Sequence, residues 1–118
     1  MISSADQEAS LNSLESTYRK LSNAYVSMEG KGANTTLVKK RRDAVKAGIE
    51  SLRSDWYGND FSHERDVIAT SQLTLEDILP SIHKQLAKAK DGSPQLTLNV
   101  RRLIALNQAI ESLKNRLG

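Results

Sequence analysis

The chain has 118 residues, with 17 lysines and arginines against 14 acids for a net charge of +3, and no cysteine. That length fits one domain over residues 1–118 with one core, and the missing cysteine excludes a disulfide framework or a thiolate metal site. Aromatics make up only 4% of the residues and most of the apolar residues are aliphatic, which suits helix-on-helix packing better than a β-sandwich.

The N-terminus, Met1-Ile-Ser-Ser-Ala-Asp-Gln-Glu, has no basic region followed by an apolar run, so no secretory signal is expected. No stretch is apolar for the length a bilayer span needs. A soluble, cytoplasmic protein is therefore the expectation.

The first helix is expected over 6–29. Leu11, Leu14, Tyr18, Leu21, Tyr25 and Met28 alternate in steps of three and four, the seam spacing of a bundle. Gly30-Lys31-Gly32 ends it, because glycine accepts the left-handed conformation of a helix cap. Asn34-Thr35-Thr36 offers N-cap side chains for a second helix over 35–56. Val38, Val45, Ile49, Leu52 and Trp56 form its stripe, and Lys39-Lys40-Arg41-Arg42 occupy its first two turns. Basic charge there opposes the helix dipole.

Trp56-Tyr57-Gly58-Asn59-Asp60 is the main break, with Asp60 positioned to cap a long third helix over 60–91. Phe61, Ile68, Leu75, Leu79, Ile82, Leu86 and Ala89 share its stripe, while Arg65 and Gln72 are polar residues in that seam. Pro80 predicts a kink or a break, and Thr74 is placed to cap a restarted helix. Asp91-Gly92 closes it. Ser93 as N-cap and Pro94 as the first helical residue open a fourth helix over 93–117. Its expected apolar face is Leu96, Val100, Leu103, Leu106, Ile110, Leu113 and Leu117. No internal repeat is evident in this reading.

The predicted fold is all-α, a four-helix antiparallel bundle with a long third helix kinked near Pro80. The predicted core is Leu11, Leu14, Tyr18, Leu21, Tyr25, Val45, Ile49, Leu52, Trp56, Phe61, Ile68, Leu75, Leu79, Ile82, Leu86, Val100, Leu103, Ile110 and Leu113. Truncating Leu79 to Ala is expected to cost roughly 2–5 kcal/mol.

No catalytic constellation emerges. His63-Glu64 is half of a zinc-protease motif, but Val67 stands where the second His belongs. Gly30-Lys-Gly-Ala-Asn-Thr-Thr36 lacks the Gly-Lys-Ser/Thr ending of a phosphate loop and a strand before it. Asp66, Glu76 and Asp77 are not placed together by any spacing, and no nucleophile motif exists. A non-enzyme without metal or cofactor is expected. The surface then carries function, and the expectation is an adaptor or small chaperone that binds a protein partner, or a second copy as a homodimer, through a helix face or the Trp56–Phe61 corner. Trp56, Tyr57 and Phe61 form an aromatic corner, with Arg65 beside it, and aromatics dominate interface energies. The alternative is nucleic acid, bound by Lys39, Lys40, Arg41, Arg42, Arg101 and Arg102. By segment, residues 1–30, 31–60, 61–92 and 93–118 carry net −2, +3, −1 and +3, a modest excess for such a ligand.

Trp56 through Arg65, Trp-x-Gly-x-x-Phe-x-x-x-Arg, resembles the turn of the WXG-type helical hairpin proteins and the helical adaptors of type VII secretion. The resemblance implies a structural turn at Trp56 and Gly58 and side-by-side binding of a partner helix. This chain adds one helix before that hairpin and one after it. Its match to the family's Tyr-x-x-x-Asp/Glu signal, Tyr25 to Glu29, lies on the first helix.

Overall fold

The computed structural model describes residues 2–118. The chain forms an all-α four-helix bundle of α1 (Ser4–Gly30), α2 (Thr36–Tyr57), α3 (Arg65–Lys88) and α4 (Pro94–Leu117). The capping residues act largely as their chemistry requires. Ser3 accepts the Asp6 N–H at 3.1 Å, and Ser93 accepts the Leu96 N–H at 3.2 Å. Asn34 accepts the Thr36 N–H at 2.9 Å. Past the end of α1, Gly32 takes a φ of +70°, and the Ala33 N–H closes onto the Met28 carbonyl, the ring that satisfies orphan carbonyls at a helix end.

Two helical hairpins stack across each other. In the first, α1 and α2 are antiparallel: Glu15 pairs with Arg53 and, further out, Tyr25 stacks under Arg42. In the second, α3 and α4 are antiparallel, and Arg65 at the start of α3 donates to the Leu117 carbonyl at the end of α4. The molecule measures 39 × 36 × 20 Å. A 24-residue helix such as α3 is about 36 Å long, so aligned helices would give one long dimension. Two long dimensions and a thickness of two helix layers mean that the hairpins cross steeply. α2 packs on both helices of the second hairpin and α4 on both helices of the first, while α1 and α3 do not touch.

The crossing is closest between α2 and α4. Gly48 leaves room for Ala109, whose methyl would stand 3.0 Å from a Cβ at position 48. The Ser51 and Ser112 hydroxyls hydrogen-bond across the contact. Leu14, Val45, Leu75, Leu106 and Leu113 are fully buried around it. The partners differ by 61 in both pairs, and the same spacing runs through the sequence. From Thr36 to Ser54, eight of 19 residues are identical to those of 97–115, including Ile49-Glu50-Ser51-Leu52 and Ile110-Glu111-Ser112-Leu113. Ser10, Ser13 and Leu14 of α1 are buried, as are Ser71, Thr74 and Leu75 of α3, again 61 apart. The expectation of no repeat is corrected: α2 and α4 repeat at a spacing of 61, α1 and α3 share three buried positions at the same spacing, and the contacts of Gly48 with Ala109 and Ser51 with Ser112 relate the hairpins by an approximate twofold.

Several local expectations also change. α3 begins at Arg65, not residue 60, with Glu64 as its N-cap, so Asp60 caps nothing. Phe61 still packs on the core, from an extended connection rather than a helix. Of the kink or break expected at Pro80, the break is absent, since α3 is continuous across it. Pro80 is exposed, on the side where a carbonyl freed from the helix ladder is hydrated. Thr74 caps no new helix, since its hydroxyl bonds back to the Thr70 carbonyl at 2.7 Å. Val100 is 41% exposed, because the α4 face turned to the crossing runs through Asn99, Ala105, Leu106 and Ala109. Leu79 is only partly buried.

Candidate functional site: an aromatic corner and two basic tips

The aromatic corner is largely committed to holding the fold. Gly58, with a φ of +77°, caps α2, and the chain then doubles back so that the His63 Nε2 lies 2.9 Å from Glu50. Trp56 and Phe61 are half-buried against the core, and Tyr57 alone of the three is exposed, at 54%. The Phe61 ring meets the His63 ring edge-on, with the Arg116 guanidinium 4.0 Å from its centroid. Arg116 also donates to the Ser51 hydroxyl at 2.7 Å, to the Ser51 carbonyl at 3.0 Å and to Asp55 at 2.9 Å. Ser112 donates to the same Asp55. Arg65 is held by the Leu117 carbonyl. This polar cluster ties the end of α2 to the end of α4.

Four of the six basic candidates fall at matching places in the two hairpins. Lys40 and Arg41 correspond to Arg101 and Arg102, 61 residues on. Lys39 and Lys40 are exposed. Arg42 bonds Asp43 at 3.2 Å and lies over the Tyr25 ring at 4.7 Å. The Tyr25 hydroxyl donates to Glu29 at 2.8 Å, and that bond, with the carboxylate's charge, holds the phenol above its ordinary range. Arg101 reaches Asp6 at 3.6 Å and Ser10 at 3.4 Å. Arg41 and Arg102 are half-buried, with Nε of both and Nη2 of Arg102 buried without a hydrogen-bond partner. Burial pushes the Arg102 guanidinium below the usual arginine range.

Folding each hairpin gathers charge that a reading along the chain disperses. The outer half of the first hairpin, residues 19–46, holds eight basic and two acidic residues. The matching segment of the second, residues 80–107, holds five and one. The remainder of the chain holds four basic and 11 acidic residues, of which Asp6 pairs with Arg101 and Asp66 shares a groove with Lys40. Lys31 joins Lys39 and Lys40 on the first tip, with Arg19, Lys20 and Lys46 nearer the crossing, and Lys84, Lys88 and Lys90 line the second; all are exposed. The sequence reading missed these residues, because a boundary at position 30 splits one tip between two segments of opposite sign. Val26 and Leu37 stand among the cations of the first tip at 68% and 58% exposure, and Leu98 in the second at 37%. The second tip also carries an open groove of about 440 Å³ lined by Lys88, Lys90, Ser93 and the buried Asn99.

Among the described residues, no group of three or more His, Asp or Glu side chains is arranged to hold a metal ion, and no helix is long and apolar enough to cross a membrane. Comparison with known proteins finds no matching family model, no matching curated protein and no matching solved structure.

Proposed function

We propose that this chain is a non-enzymatic protein-interaction module that holds an acidic segment of a partner on its hairpin tips. The observation that carries the reading is the excess of basic charge on the outer half of each hairpin, against an acidic remainder of the chain. A cationic surface of this kind speeds encounter with an acidic partner and rejects basic ones. Two features favour a protein over a nucleic acid. Exposed Val26 and Leu37 lie among the lysines, and aliphatic side chains find matching contacts on a protein rather than on a phosphate backbone. The tip's aromatic ring, Tyr25, is covered by Arg42 and bonded to Glu29, so it offers no stacking platform for an unpaired base.

The test is fluorescence anisotropy with two labelled probes, a helical peptide with Leu at i, i+3, i+4 and i+7 and Glu between them and a short DNA duplex, at low and high salt. The peptide is expected to bind at low salt, and Lys39→Glu/Lys40→Glu is expected to weaken it by about tenfold or more. Failure of the peptide to bind at low salt would contradict the proposal. Tighter binding of the duplex, falling steeply with salt, would move the function to nucleic acid.

A further inference from the structure

We infer that the two tips are two copies of one binding site, so that a single chain holds two acidic segments at once. The inference rests on the function proposed above and goes beyond it in stoichiometry and geometry. α2 and α4 are one pattern used twice, and α1 and α3 share part of theirs. Residues buried in α2 (Ala44, Val45, Gly48, Ile49, Ser51, Leu52) recur in α4 61 positions on as Ala105, Leu106, Ala109, Ile110, Ser112 and Leu113. At the crossing each unit meets its own equivalent, Gly48 against Ala109 and Ser51 against Ser112. An axis through those contacts carries one tip onto the other.

The tips share part of their chemistry at equivalent positions, Leu37 with Leu98, Lys40 with Arg101 and Arg41 with Arg102. Leu37 and Leu98 are exposed at equivalent sites. One turn further on, Arg41 and Arg102 each turn inward with a buried Nε that has no partner. A half-desolvated guanidinium lacking a counter-charge adds positive potential at the tip, which favours an acidic segment docked nearby. Two separate occurrences at equivalent positions make this a property of the repeated unit. Exposed lysines lie on both tips, Lys31, Lys39 and Lys40 on one and Lys84, Lys88 and Lys90 on the other, at positions that the repeat does not pair with each other. With the hairpins crossed, the tips point in different directions, and one short peptide cannot cover both. A partner with two acidic segments, or two partners, would gain from occupying both through effective concentration.

Isothermal titration calorimetry of the full chain with a synthetic Glu-Leu peptide of one tip's length tests this. The wild type is expected to bind about two peptides, and Lys39→Glu/Lys40→Glu or Lys88→Glu/Lys90→Glu about one each. The four-fold variant is expected to bind none. All four lysines are exposed, and thermal melts monitored by circular dichroism verify that each variant stays folded. Wild-type binding of a single peptide that only one pair of substitutions abolishes would overturn the two-site inference and leave the proposed function standing. No heat of binding from the wild type at low salt would overturn both.

Discussion

One methyl group decides how closely α2 and α4 cross. A Cβ at position 48 would lie 3.0 Å from the Ala109 Cβ and 3.3 Å from Leu75, and a helix-borne methyl has little room to move. Gly48→Ala gains about 1 kcal/mol in helix propensity but overpacks the crossing by about 1–3 kcal/mol. The expected net result is a loss of stability in urea unfolding. Gly48→Ala combined with Ala109→Gly exchanges the two sides of the pseudo-twofold and is expected to restore the wild-type value to within about 0.5 kcal/mol. Additive losses in the double variant would argue against the close crossing. Among the leucines, Leu75 is 0% exposed, so Leu75→Ala carries the full large-to-small cost of roughly 2–5 kcal/mol. The partly buried Leu79 is expected to cost less than Leu75 in the same experiment. The stripe of α3 identified both as apolar, but depth depends on where the other hairpin crosses, which spacing along one helix does not contain.

Helix positions were largely legible because an apolar step of three and four is a local property. The limits of α1, α2 and α4 fall within two residues of those expected from caps and glycines. α3 was begun five residues early. Phe61 lies seven residues before Ile68, two helical turns, yet an extended connection delivers its ring to the core equally well. The repeat escaped for a related reason. Surface positions between the matching residues differ freely, Lys39 against Val100 and Asp43 against Ile104, and only the crossing shows which positions had to stay alike. The connection itself depends on Gly58, whose φ is +77°. Gly58→Ala places a side chain in the left-handed region and is expected to lower stability by about 1–2 kcal/mol. At the same end, a double-mutant cycle on Asp55 and Arg116 is expected to give a coupling of about 1 kcal/mol, since the pair is partly exposed but shares Ser51 and Ser112. A coupling near zero would mean that the cluster does not clamp the two helix ends.

At the scale of the whole molecule, the steep crossing separates the two basic tips from each other. The all-α class and the four helices could be read from pattern alone. The crossing could not, because short connections suit an aligned bundle as well as a crossed one. The basic tips were hidden for the same reason, since they exist only once each hairpin has folded back on itself. An aligned up-down bundle would bring the α1–α2 and α3–α4 connections together at one end, about 10 Å apart. In the crossed arrangement each connection lies about 20 Å or more from the crossing along its own hairpin. The decisive measurement is pulsed electron–electron resonance on Lys31→Cys/Lys90→Cys carrying two nitroxides, made straightforward by the absence of native cysteine. A distance distribution centred beyond about 20 Å is the expected result; one centred near about 10 Å would show aligned helices and contradict the crossed, pseudo-twofold fold.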